Sequence, residues 1–186
     1  MIDVLDQAEA LQLAPELAAV YRSAFGAPGY DEDPAEAERF ATEQLPLHAQ
    51  RDGFKLVVAR LPTPAGDPGP IIGFAYGYTG ERGQWWSDRV AETAPADIVA
   101  AWIGGHFEVV EMAVMVEAQG QGLGSALHDV LMADLPHAKA LLTTYLDDRP
   151  APRLYRRKGW QLLVPDLGWE SALYGLSLDR AVPLEP

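Results

Sequence analysis

The chain contains no cysteine, so it offers no disulfide, no thiolate metal site and no cysteine nucleophile. Lysine is almost as scarce: Lys55, Lys139 and Lys158 are the whole complement. The formal net charge is −13, and the basic patches that nucleic acid or anionic membrane surfaces require are missing, so neither is expected as a partner. No apolar run approaches the roughly 18 residues of a membrane helix. The opening MIDVLDQAEALQLAPEL carries acids early and lacks the basic-then-apolar order of a signal peptide, and a cytoplasmic protein is expected. His48, His106, His128 and His137 show neither HExxH nor clustered spacing; no metal is expected, and ordinary surface or helix positions account for them.

What remains is 186 residues, 48% of them hydrophobic, enough for one domain with a substantial core. The acidic balance suits a cationic partner and serves solubility equally well. Residues 4–25 read as one helix, with Leu5, Leu13, Leu17, Val20, Tyr21 and Phe25 as its apolar stripe and Gly26, Pro28 and Gly29 as its stop. A second helix is expected from Asp33-Pro34 through Phe40 to about Gln50. Strands at 54–61 and 71–78 flank a turn-rich loop at 62–70 and make a hairpin. Residues 79–105, with Trp85, Trp86 and Trp102, read as a partly helical insertion, either a second core segment or a substrate lid. The strand 106–116 is apolar on both faces apart from Glu108 and Glu111, which belongs in the middle of a sheet. A glycine-rich turn then opens a helix at about 122–135, followed by a strand at 138–146, a short helix at 151–158 and final strands at 160–164 and 172–178. The fold class is α/β, a single domain over 1–186.

The segment Gln119-Gly120-Gln121-Gly122-Leu123-Gly124-Ser125 carries the chemistry. Glycine admits conformations that other residues resist and lets a ligand approach the main chain. The free N–H groups of the next helical turn, with the helix dipole behind them, form a site for phosphate or pyrophosphate; tight packing alone would also use such glycines. A P-loop is ruled out because no lysine follows. The dinucleotide fingerprint fails at Ser125.

Gln119, Gly122 and Gly124 meet the pattern Q/R-x-x-G-x-G/A, five residues beyond Val114, and Leu154-Tyr155-Arg156-Arg157-Lys158-Gly159-Trp160 is similar to L-Y-x-x-x-G-F. In these motifs and in element order over nearly its whole length, the chain resembles the GNAT superfamily of acyl-CoA-dependent acyltransferases. Glu117-Ala118 departs from the proline common there, and Asp147-Asp148-Arg149-Pro150 stands where many relatives place an asparagine touching the cofactor arm.

The resemblance implies a central mixed, mostly antiparallel sheet, splayed at the cofactor cleft and flanked by helices. It also implies acetyl-CoA as co-substrate, its pyrophosphate on the backbone of residues 119–125 and its arm along Ala113, Val114 and Met115. The acceptor amine must lose a proton to a base, and the departing thiolate must gain one. Tyr155 matches the family's thiolate donor. Glu108 and Glu111 are alternative bases; three apart on a strand, they should face opposite sides, and either can instead be a structural carboxylate. The expected function is N-acetylation of a small, cationic amine in a ternary complex. A non-catalytic acyl-CoA-binding module and a protein N-terminal acetyltransferase are the alternatives, and a homodimer is open. Asp31, Glu32 and Asp33 are the acids nearest an acceptor pocket built from the first two helices and the insertion, with helix capping as the other role for Asp33.

Overall fold

The computed structural model describes residues 1–30, 32–64 and 68–178. The strands are β1 (Ile2–Leu5), β2 (Lys55–Pro62), β3 (Pro68–Gly80), β4 (His106–Val114), β5 (Lys139–Tyr145), β6 (Gln161–Val164) and β7 (Ser171–Ser177). They form one open sheet in the order β1-β2-β3-β4-β5-β7-β6. Pairing is antiparallel for β1–β2, β2–β3, β5–β7 and β6–β7 and parallel for β4–β5, so the expected mixed, mostly antiparallel α/β architecture is present. The chain divides into two compact units, Met1–Tyr78 with Val109–Asp134, and Thr79–Glu108 with the residues from Leu135 onward.

In the first unit, the single helix expected over residues 4–25 is instead a strand and two helices. Ile2 to Leu5 pair with Ala59 to Leu56. Asp6 ends the strand and starts α1 (Gln7–Gln12) through a capping box: its carboxylate accepts from Glu9 N at 2.8 Å, and Glu9 Oε2 accepts from Asp6 N at 2.9 Å. Pro15 has no N–H for the Leu11 carbonyl, so the ladder breaks at Leu13 and restarts as α2 (Ala14–Phe25).

The second expected helix is present but irregular. Helix α3 (Pro34–Arg39) is capped by Asp33, whose carboxylate accepts from Ala35 N at 2.9 Å. A π turn over Phe40–Gln44 leads into α4 (Leu45–His48), and Leu45 N–H reaches back five residues to Phe40 O. Pro46, with no N–H for the regular ladder, follows at once. The turn holds Phe40 in the core, where it stacks on Tyr21 at 5.0 Å and on Phe74 at 5.4 Å. Burying such side chains contributes about 1.5–3 kcal/mol each.

Helix α7 (Leu123–Met132) buries Leu127 and Leu131 and stops earlier than expected, because the chain leaves it at Ala133 and Asp134 turns left-handed at φ 54. It comes close to β3 at Gly73, where a Cβ would lie 3.1 Å from Leu127 Cδ1.

In the second unit, the segment 79–105 forms α5 (Trp85–Thr93) and α6 (Ala96–Trp102). Val90, Val99 and Ile103 join Leu141, Val164, Leu167 and Leu173 in one core, with Trp86 and Trp102 packed against it. A Cβ at Gly175 would sit 2.7 Å from Trp102 Cζ3, so this glycine admits the indole to β7. Within this unit the segment is a core element. Trp85, in contrast, is 72% exposed. Helix α8 (Pro150–Arg157) completes the unit.

Candidate functional site

The first unit holds β4 from Val109 onward, the glycine turn and α7. Beyond β4, Met115 N donates to Ile72 O at 2.9 Å, and a short 3-10 turn over Val116–Ala118 redirects the chain. Gln119 is tied into that turn twice: its N–H donates to Val116 O at 3.2 Å and its side chain to Val114 O at 3.0 Å. Gln121 likewise donates to Glu117 O at 3.2 Å. Gln119 therefore gives the turn the N–H that the family resemblance would have it offer a ligand.

Gly120 and Gly122 adopt φ of +73° and +83°, which favour glycine, and a Cβ on either would meet nothing within 4 Å. The turn needs glycine for its backbone and leaves open space above it; tight packing is not the reason. Gly122 is the N-cap of α7, no side chain caps this end, and no acid stands in the first turn. Leu123, Gly124 and Ser125 thus present the positive end of a ten-residue helix.

Glu111 lies on the same unit's part of β4. As a residue it is half-buried, yet desolvation of its carboxyl pushes the pKa up to about 8. The neighbouring Glu32 carboxylate pushes the same way, and a backbone hydrogen bond at Met112 pulls back. Glu32 Oε2 accepts from the Tyr21 hydroxyl at 2.8 Å, and a small pocket lined by Tyr21, Arg22, Phe25, Glu32, Asp33 and Ala37 opens there. Asp33 is engaged in capping α3, while Asp31 lies outside the described residues. Apolar periodicity puts Tyr21 in the core stripe and leaves its hydroxyl without a role; a tyrosine where leucine would serve is the signal for one.

In the second unit, Glu108 is buried, 3% exposed. β4 and β5 register there at Phe107↔Ala140 and Glu108↔Leu141. The two candidate bases thus belong to different units. Tyr155 is buried on α8, edge-on to Trp160 with ring centroids 5.7 Å apart. Asp147 accepts from Arg149 N at 3.1 Å and from its Nε at 2.6 Å, and Asp148 pairs with Arg153 and Arg156. These acids order the entry to α8.

The histidines are not all surface or helix residues. His106 is fully buried on β4, its ring against Gly80, where a Cβ would lie 2.2 Å from Nε2. Its Nδ1 accepts from Gly104 N at 3.1 Å, and burial lowers its pKa to about 3. Among the described residues no group of histidines and acids could hold a metal ion, and no helix is long and apolar enough to cross a membrane.

Comparison with known proteins agrees with this fold. The model of the acetyltransferase (GNAT) family matches residues 15–160. A GCN5-like protein acetyltransferase of Mycobacterium tuberculosis is 38% identical over 99 residues, 49% of this chain and 48% of that protein, so the chain spans about half the length of this curated relative. Among solved structures, an acetyltransferase of the GNAT family from Desulfovibrio desulfuricans superposes with a TM-score of 0.63 at 19% identity, over 96% of this chain and 100% of that one. A GNAT family acetyltransferase from Brucella melitensis in complex with acetyl-CoA has a TM-score of 0.59 at 18% identity, over 98% and 92%. At such identities the structural likeness speaks for the fold.

Proposed function

Since the chain belongs to the acetyltransferase (GNAT) family, we propose that it moves an acetyl group from acetyl-CoA to an amine by direct attack in a ternary complex. The observation that carries this reading is the turn at Gly120 and Gly122, left-handed, open above and leading into the uncapped end of α7. Backbone N–H groups of residues 120–125 would hold the pyrophosphate, and the main chain of Ala113, Val114 and Met115 would run beside the arm. The Brucella relative's complex with acetyl-CoA supports this donor.

The acceptor arrives as an ammonium ion, of which only about one in ~10³ is neutral at pH 7 if its pKa is lysine-like. Glu111, when ionised, takes the proton. The amine nitrogen then bonds to the thioester carbonyl carbon, the carbon–sulfur bond breaks, the Tyr155 hydroxyl protonates the departing thiolate, and the second proton shed by the nitrogen returns the tyrosinate to its neutral form. Glu111 is preferred to Glu108 because a carboxyl poised near neutrality suits a base, whereas Glu108 is buried among core residues.

Glu32 and Glu111 together favour a small cationic amine as acceptor. A second reading, in which the amine belongs to a protein, is supported by the mycobacterial relative's description as a protein acetyltransferase. The deciding experiment incubates the protein with acetyl-CoA and separate panels of polyamines, aminoglycoside-like amines, lysine peptides and peptides with free N-termini, reading free thiol. Release with the small cations supports the first reading and release with peptides alone the second. Binding of acetyl-CoA with no release would leave a non-catalytic module.

A further inference from the structure

Helix α7 has no basic residue in its own last turn, yet a cation is supplied there from elsewhere in the chain. Lys55 Nζ donates to Val130 O at 2.8 Å and to Ala133 O at 2.7 Å, two carbonyls that the helix cannot satisfy by itself. Lys55 is the first residue of β2 and pairs with Gly77 of β3, so the clamp is fastened to the sheet. The ammonium is partly desolvated, which lowers its pKa, and Asp134 beside it pulls the other way. Midway along the helix, Leu127 is fully buried and meets β3 at Gly73.

We infer that Lys55 is a positioning residue for the anion-binding end of α7, holding the far end of the helix so that the N–H groups at Gly122–Ser125 keep their aim. The inference rests on the reading of that end as the pyrophosphate site. A ten-residue helix is a rod about 15 Å long. Leu127, near its middle, acts as a pivot, so a shift of the released C-terminal end is mirrored at the N-terminal end. Misplacement by about 1 Å at a binding element can cost on the order of 100-fold. The ammonium also complements the negative end of the dipole whose positive end faces the ligand.

The test compares dissociation constants for acetyl-CoA and for acetylpantetheine, which carries the same thioester and arm without the pyrophosphate. In Lys55→Met, acetyl-CoA should bind about tenfold more weakly, as from a misplacement of the binding end by a fraction of the ~1 Å that can cost on the order of 100-fold. Acetylpantetheine should bind as before, and Lys55→Arg should restore acetyl-CoA affinity. If the Met variant does not fold by circular dichroism, Lys55→Gln takes its place. Unchanged acetyl-CoA affinity in a folded variant, or equal weakening of both ligands, overturns the inference, the latter because general loosening of the fold would explain it. If the unaltered protein already binds both ligands equally well, the pyrophosphate reading falls first and the inference with it.

Discussion

The Tyr21 hydroxyl donates to Glu32 Oε2 at 2.8 Å, and the carboxylate held there is one of the two causes that raise the Glu111 pKa to about 8. With that pKa, about one-tenth of Glu111 is ionised at pH 7. If Glu111 is the base, kcat/KM should rise about tenfold between pH 7 and pH 9, and Glu32→Gln should move the rise to lower pH. A rate profile untouched by Glu32→Gln would remove this coupling.

The same group has a stability signature of definite sign. Its folded pKa lies above the ordinary 4.5, so the folded chain holds the proton more tightly than the unfolded chain. Its contribution is therefore fully present below the unfolded pKa and is lost as pH rises through about 8. Glu111→Gln should accordingly melt higher than the unaltered protein at pH 9, by about 3–6 °C, and no higher at pH 5.

Gly122→Val places a β-branched side chain at φ +83°, costing about 1–2 kcal/mol of strain and covering the open space above the turn. Thermal shift with acetyl-CoA should then disappear while circular dichroism stays folded. Gly124→Ala should be tolerated by the fold, because Gly124 lies inside α7 and outside the positive-φ positions. A full ligand shift in Gly122→Val would place the site elsewhere.

Two histidines with pKa values lowered by desolvation predict acid lability. Folded pKa values of about 3 for His106 and about 4 for His48 lie below the ordinary 6.5. Their stabilisation is thus present above pH 6.5 and lost as pH falls toward those values. The melting temperature should drop between pH 6.5 and 4, and His106→Phe should flatten the slope. Gly80→Ala, which drives a Cβ into the His106 ring, should cost about 1–3 kcal/mol at any pH.

These features were unequally legible in the amino-acid order. The glycine turn was readable because its cause is local: Gly120 and Gly122 stand where the backbone turns left-handed. The split of residues 4–25 was also locally encoded, in the Asp6–Glu9 box and in Pro15. There the apolar periodicity of Leu5 to Phe25 outweighed the punctuation. The tryptophans of 79–105 announced an apolar destination, but only the fold shows Trp102 lying over Gly175. The influence of Glu32 on Glu111 and the hold of Lys55 on α7 depend on segments far apart in the chain, for which no spacing rule exists.

Tyr155→Phe should lower kcat by about 10–100-fold and leave acetyl-CoA affinity within about twofold, since the proposed hydroxyl acts only as the thiolate departs. The ring's edge-on packing on Trp160 is retained in phenylalanine, so the variant should remain folded by circular dichroism. Undiminished turnover would mean that the thiolate leaves without this proton.

The acceptor side can be tested through salt. Glu111 and Glu32 present two carboxyls, one held by Tyr21, and an ammonium bound near both would favour the ionised form of Glu111, lowering its pKa as the substrate arrives. Arg22 also lines the small pocket and works against cation binding, so the attraction depends on both acids being charged. The Coulomb attraction felt by an amine approaching through solvent weakens with ionic strength, over a Debye length that shrinks from about 10 Å at 0.1 M to about 3 Å at 1 M. The KM for a polyamine should therefore rise several-fold across that range, and Glu32→Gln should raise it at low salt and flatten the dependence. Acetyl-CoA affinity should be indifferent to Glu32→Gln. A KM insensitive to salt, or a preference for neutral amines, would exclude a carboxylate-selected cation and turn attention to acceptors recognised by shape.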